Sequence, residues 1–307
     1  MTEAPAPAEA PAPVSPYGEE DFQRLRRMIG PAVDAWTALT DPLFLGLGNI
    51  PAQGPVLLVG NHGMMGTLDA GVMAFGLKRR LGIWPRGLAD HIHFAIPRWR
   101  DLFRAAGAVE GTPDGFRGLM ALKSHVVVYP GGVGEVFKRR GEKYRLRWKQ
   151  RLGFARLAIE AGCPVVPFSA VGADDSYSVL LGSDEILKIP GAGALARRLK
   201  LKSDYLGLYR GLGLTALPRP ERYYFSFAPA IDTARFKGEA TDDNAWTLRR
   251  EVEAAIEAGL DDLLARREHD PLRPLRRRLI PLARQVLDRA RGRAPAEQDE
   301  RGRDEEG

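Results

Sequence analysis

Pro55-Val56-Leu57-Leu58-Val59-Gly60-Asn61-His62-Gly63-Met64-Met65-Gly66-Thr67-Leu68-Asp69 runs from an apolar stretch through a glycine-bounded loop into a helix. Residues 55–59 are too short for a helix and carry no polar alternation, so they read as a strand buried on both faces. Residues 68–80 have helical patterning, with Thr67 placed as the N-cap. A strand that hands its chain to a helix is the repeating unit of an α/β domain. In open α/β sheets, sites gather outside the carboxyl ends of the strands, where His62 stands.

The same alternation continues outward. Val126-Val127-Val128 and residues 164–171 (PVVPFSAV) read as two more buried strands, and residues 223–227 (YYFSF) as a fourth, rich in β-favouring aromatics. Residues 151–161 form a helix closed by Gly162. Upstream, Phe22, Leu25, Met28, Ile29, Val33 and Trp36 recur at helical spacing and predict an amphipathic helix over 19–40, ended by Asp41-Pro42. A long helix follows over residues 243–266. The expected architecture is a mixed β-sheet flanked by helices, with an N-terminal amphipathic helix and a C-terminal basic one.

The chain ends differ in character from this middle. Residues 1–18 are dominated by Ala, Pro and Glu and are expected to be a disordered tail. Residues 41–270 form the main domain. Over 271–292, Leu272, Leu275, Leu279, Leu282, Val286 and Ala290 recur at three and four with arginines between them, a basic amphipathic helix with a kink at Pro281. Its apolar face fits an anionic membrane surface. Residues 293–307 are charged and expected to be disordered.

The 307 residues carry a net charge of +6, which favours an anionic partner without choosing among membrane, phosphorylated substrate and nucleic acid. No nucleic-acid partner is expected, because the strands present no recognised set of stacking aromatics. The single cysteine, Cys163, excludes an internal disulfide and fits a reducing compartment. No apolar run approaches the ~20 residues that span a bilayer. The opening residues lack the basic start and apolar stretch of a signal peptide. A cytoplasmic protein is expected, at most peripheral on the inner face of the membrane.

Histidine titrates near neutrality and can take a proton from a hydroxyl, and a carboxylate on its second nitrogen steadies the imidazolium. Six residues separate His62 from Asp69. In one continuous helix their Cα atoms would stand ~10 Å apart, so the loop with Gly63 and Gly66 must fold back for them to meet. Spacing alone leaves Asp69 open between that partner and an acid placed for the helix dipole. It likewise leaves His62 open between a base and a satisfied core histidine.

After the valine strand comes Tyr129-Pro130-Gly131-Gly132-Val133-Gly134-Glu135, whose adjacent glycines offer bare N–H groups to a phosphate or an oxyanion. It fits neither common phosphate-binding loop, and no G-x-S-x-G elbow is present. The basic run Lys138 to Lys149, with Tyr144 and Trp148 between the charges, reads either as a solvated face or as a grip on coenzyme A phosphates, lipid headgroups or nucleic acid. His91 and His93 lack a third ligand, so no metal is expected.

From about Phe44 to Ser176 the ordered blocks resemble the glycerolipid acyltransferase superfamily of lysophosphatidate acyltransferase type. These are GLGNIPAQGPVLLVGNH, the histidine-to-aspartate loop, RGLADHIHFAIPRWRDLFRAAGAVEGTPDGF, VVVYPGGVGEVF and RLGFARLAIEAGCPVVPFSAVGADD. They are nearest the monoacylglycerol and diacylglycerol acyltransferase-like branch that includes phytyl ester synthases.

The resemblance implies transfer of a fatty acyl group from acyl-CoA or acyl carrier protein to a lipid hydroxyl, with no other cofactor. It implies His62 as base and Asp69 as its partner, and substrate contacts from Asn61, Gly63, Gly66, Pro130, Gly131, Gly132 and Glu135. It also implies an acyl tunnel, for which Met64, Met65 and Phe94 are candidates. Two departures stand out. The histidine-to-aspartate loop has six intervening residues where the family has four or five. Phosphate-accepting members carry Pro-Glu-Gly-Thr-Arg where this chain has Pro130-Gly131-Gly132-Val133-Gly134. Loss of the arginine fork points to a neutral acceptor. The alternatives are a lysophospholipid acyltransferase and a catalytically impaired lipid-binding homologue.

Overall fold

The structure is a computed structural model, and it describes residues 14–66, 68–193, 198 and 207–280. Thr67, the expected N-cap, lies outside the described residues, as do residues 281–307 with Pro281. A sheet of seven strands has the order β1 (Leu43–Leu45), β9 (Tyr224–Phe227), β6 (Val165–Val171), β2 (Val56–Gly60), β5 (His125–Val128), β3 (Arg86–Ala89), β4 (Val109–Glu110). β6, β2, β5, β3 and β4 run parallel, β9 is antiparallel to β6, and β1 is parallel to β9. β7 (Ser178–Leu181) and β8 (Leu208–Arg210) form a separate antiparallel pair.

β2 and β6 are buried along their whole length, which is why they read as unbroken apolar runs. On one face lie α5 (Pro113–Ala121), α7 (Gly153–Ala161) and α9 (Asp242–His269), burying Phe116, Ile159, Val252 and Ile256 against Leu57 and Val165. Gly162 closes α7 in the left-handed conformation, as expected. α9 lies close to β6, and Ser169 donates to the Ile256 carbonyl at 2.8 Å. On the other face α2 (Leu68–Leu81) buries Val72, Met73 and Leu77 against Leu58 and Val166. α1 (Glu19–Thr40) covers α2 in turn, with Phe22 and Leu25 packed on Phe75. The remaining short helices are α3 (Ile92–Ala95), α4 (Pro97–Ala105), α6 (Val133–Val136) and α8 (Ser183–Leu187).

Two boundaries differ from the sequence reading. Residues 14–18, assigned to the N-terminal tail, are part of the fold. The Tyr17 ring stacks on Trp84, its hydroxyl donates to the Ala105 carbonyl at 2.8 Å, and Arg86 reaches the Ser15 carbonyl at 2.8 Å. The basic C-terminal helix begins by docking on the domain. Residues 275–280 are helical, and the buried Arg278 donates to the carbonyls of Leu39, Leu272 and Pro220.

Gly76 faces the Phe44 ring, and a Cβ there would stand 2.2 Å from it. Gly76→Ala should lower stability by about 1–3 kcal/mol in urea unfolding, as over-packing does. An unchanged midpoint would mean that β1 is not clamped by α2.

Candidate active site

The parallel strands β2, β5, β3 and β6 present their carboxyl ends on one edge. His62 follows β2, Tyr129 follows β5, His93 sits on α3 just after β3, and Asp174 follows β6. The loop after β2 turns back on itself. Met65 and Gly66 take left-handed φ values of 62° and 61°, the Gly66 N–H bonds to the Gly63 carbonyl at 3.1 Å, and the Met65 N–H bonds to the Val136 carbonyl at 3.0 Å. This brings Asp69, in the first turn of α2, under His62.

The backbone of the loop is gripped at four successive groups. His62 N–H donates to Glu135 Oε2 at 2.7 Å, Gly63 N–H to Asp69 Oδ2 at 2.8 Å, and Met64 N–H to Asp174 Oδ1 at 2.7 Å. The His62 carbonyl accepts from Lys138 Nζ at 2.9 Å. Lys138 is wholly buried and also bonds Asp174 Oδ2 at 2.7 Å. Glu135 Oε1 takes the Arg147 N–H at 3.0 Å. A buried charge survives only when paired and hydrogen-bonded, and this network does both.

The His62 ring stacks on Tyr129 at 3.9 Å with 10° between planes. Nδ1 faces Asp69 Oδ2 at 3.7 Å, just beyond hydrogen-bond length, and has no nearer partner. The ring keeps 14% of its surface exposed while Asp69 keeps 3%. Burial works to raise the Asp69 carboxyl, but His62 and the Gly63 and Ala70 N–H groups outweigh it and hold Asp69 below its ordinary value. Burial pushes Glu135 up, against the opposing pull of Lys138 and two backbone N–H groups. A second imidazole stands on the same edge. His93 stacks on Phe103 at 4.4 Å, and its Nδ1 accepts from the Trp99 indole at 2.7 Å. Burial, opposed by Asp90 and aided by His62, holds His93 below its ordinary value. With Nδ1 accepting from Trp99, the neutral ring carries its proton on Nε2.

Several residues read as substrate contacts have partners within the protein. Asn61 is buried, and its amide exchanges two bonds with the Ala170 backbone at 2.8 and 2.9 Å, pinning the end of β2 to β6. Glu135 spends both oxygens on backbone N–H groups. Gly63 is glycine because a Cβ would meet Asp69 Oδ2 at 2.6 Å, and Gly131 because one would meet the Glu135 side chain at 2.1 Å. The Gly132 N–H closes a turn on the Tyr129 carbonyl at 3.0 Å, so it is not a free donor, and the Pro130 carbonyl accepts from Arg151 at 2.6 Å.

Of the tunnel candidates, Met64 is buried, Met65 is exposed beside the site, and Phe94 packs edge-on to Phe103. The aromatics of the basic run are not a stacking platform. Trp148 is buried against Phe154, and the Tyr144 hydroxyl donates to Asp175 at 2.6 Å. A polar hollow of about 420 Å³ near Trp84, Arg86 and His125 lies at the opposite edge of the sheet and contains none of these residues.

Residues 43–171 match the Acyltransferase family model. The chain is 32% identical over 253 residues to phytyl ester synthase 1, chloroplastic, of Arabidopsis thaliana, covering 76% of this chain and 36% of that protein. It is 28% identical over 138 residues to the DGAT1/2-independent enzyme synthesizing storage lipids of Bos taurus, covering 45% of this chain and 41% of the other. The chain thus spans about a third of the length of the phytyl ester synthase. The fold is also that of the 1-acyl-sn-glycerophosphate (LPA) acyltransferase PlsC from Thermotoga maritima, with a TM-score of 0.50 and 18% identity over 80% of this chain and 82% of that one.

Lys138→Met should destabilise the protein by about 3–5 kcal/mol, because it leaves the Asp174 carboxylate buried without its cation. Chemical denaturation checks this, and a loss below about 1 kcal/mol would fit only a solvated lysine. At Gly66 a Cβ would come within 2.9 Å of His62 Nε2. Gly66→Ala should push the imidazole off its stack on Tyr129 while leaving a folded protein, seen as shifted His62 ring resonances in NMR. Unchanged ring resonances would mean that residue 66 does not set the position of the ring.

Proposed function

We propose that the chain transfers a fatty acyl group from acyl-CoA or acyl carrier protein to the hydroxyl of a neutral lipid, such as mono- or diacylglycerol or a long-chain alcohol. The observation that carries this is His62 itself, with Nδ1 toward the buried Asp69 carboxylate and part of the ring exposed at the carboxyl edge of the sheet. Nε2 takes the proton of the acceptor hydroxyl as its oxygen attacks the thioester carbonyl. The tetrahedral intermediate then collapses, the C–S bond breaks, and the leaving thiolate takes the proton back from the imidazolium. No acyl-enzyme forms. Asp69 stays ionised and steadies the imidazolium between the two proton transfers. His93, as a neutral Nε2–H donor, is suited to the developing oxyanion.

A neutral acceptor is favoured by the loop at Gly131 to Gly134. The two guanidinium groups over this loop are already donating into it, Arg147 to the Gly134 carbonyl at 3.2 Å and Arg151 to that of Pro130 at 2.6 Å. Two relatives named for phytyl esters and storage lipids point the same way. Among the described residues no helix is long and apolar enough to cross a membrane. A lipid acceptor then brings the protein to a membrane surface, and residues 271–292 are one proposed contact, with Leu279 and Ile280 exposed beyond the docked Arg278.

The purified chain, given acyl-CoA or acyl carrier protein thioester and a panel of acceptors, should release free thiol with neutral lipid alcohols in preference to lysophospholipids. His62→Ala should abolish release, and Asp69→Asn should lower kcat by about 10²–10⁴. Equal release by the wild type and His62→Ala would overturn the mechanism. A preference for lysophospholipids would overturn the neutral acceptor alone.

A further inference from the structure

Between β6 and β9 the chain leaves the sheet at the edge that carries His62. The excursion is fastened to the loop that follows α6. Tyr209 of β8 donates to the Lys138 carbonyl at 3.2 Å, its ring lies 6.1 Å from that of Phe137, and Arg139 bonds Asp184 of α8 at 2.6 Å. Lys138 in turn holds the His62 carbonyl. The excursion therefore stands beside the active site.

Its outer residues are apolar and uncovered. Leu187, Ile189, Leu208, Leu212, Leu214 and Leu217 are all exposed, Leu214 at 89% and Leu217 at 63%. They are not on slack chain. Gly211 N–H bonds the Thr215 carbonyl at 2.7 Å, and Leu212 N–H bonds that of Leu217 at 2.7 Å, so Leu214 is held at the tip of a closed loop. Water-soluble surfaces rarely gather large aliphatic side chains in this way unless something covers them.

The charge of the same segment identifies what does. Among its described residues, 187–193, 198 and 207–217, the charged side chains are Lys188, Arg198 and Arg210, with no acid. Leucines flanked by lysine and arginine fit the boundary of a bilayer bearing anionic headgroups, the leucines entering the acyl region and the cations meeting phosphate.

We infer that the described residues 187–193 and 207–217 of this excursion are a membrane-docking surface, seating the active-site edge on an anionic bilayer. The inference deepens the lipid-acylation reading and rests on it for the reason that a lipid surface should lie beside His62. Vesicle binding, however, is read without turnover.

The full chain should pellet with phosphatidylcholine vesicles containing phosphatidylglycerol, less with phosphatidylcholine alone, and less as salt is raised. The variant Leu212→Glu, Leu214→Glu, Leu217→Glu should stay folded with a melting temperature near the wild type, because these side chains are mostly exposed. It should lose vesicle binding by about tenfold or more. It should act normally on detergent-dispersed acceptor and poorly on acceptor in vesicles. His62→Ala should pellet like the wild type, so loss of turnover with binding intact counts against the catalytic reading alone. Equal pelleting of the triple variant, or no pelleting of the wild type, would overturn the inference. So would a dimer in the absence of vesicles that the triple variant splits and vesicles do not, since the face would then belong to a second copy of the chain.

Discussion

Three consecutive backbone N–H groups, those of His62, Gly63 and Met64, each donate to a different buried carboxylate, and the position of the imidazole follows from that. A chain leaving a strand inside a protein must find partners for its N–H groups. Here the partners come from Glu135 after β5, Asp69 on α2 and Asp174 after β6. No two are near each other in sequence, so the loop takes its shape only when the carboxyl edge of the sheet has assembled. Lys138 closes the arrangement by holding both Asp174 and the His62 carbonyl. The result is a rigid frame with a surplus of negative charge around one ring. A field of that sign, fixed in advance, favours an imidazolium as it forms.

The central sheet was legible because burial on both faces writes itself into composition. VLLV, VVV and VVPFSAV carry no polar alternation, and all three are interior strands. The edges were not legible. β3 is Arg86-Gly87-Leu88-Ala89 and β4 is two residues long, so neither shows an apolar pattern. They are strands because their neighbours offer unpaired ladders, which is information held elsewhere in the chain. The same holds for residues 14–18, whose order comes from Trp84, Arg86 and Ala105 rather than from any propensity of an Ala/Pro-rich stretch.

At the site, the His62 and Asp69 pair stood out in the sequence because a histidine after a buried strand and an acid opening a helix are both local signals. The frame around them did not. Lys138 heads a run of basic residues and reads as solvated, yet it is wholly buried because Asp174, 36 positions away, needs a cation. Asn61 looks like a substrate contact from its place beside His62, but its amide matches the backbone of Ala170 on the adjoining strand. Gly63 and Gly131 look like substrate contacts from the sequence. What approaches Gly63 and Gly131 is a carboxylate of the protein itself. In each case the missing information is a long-range partner.

The proposed base catalysis turns on which nitrogen of His62 is free. With Asp69 facing Nδ1, the neutral ring should carry its proton there and leave the Nε2 lone pair for the acceptor hydroxyl. Long-range ¹H–¹⁵N NMR of the imidazole in the resting protein, assigned with His62→Ala, reads the tautomer directly. An Nδ1–H ring that shifts toward the Nε2–H form in Asp69→Asn is the predicted result. A wild-type ring protonated on Nε2 would contradict the account, because the atom meant to take the proton would already hold one.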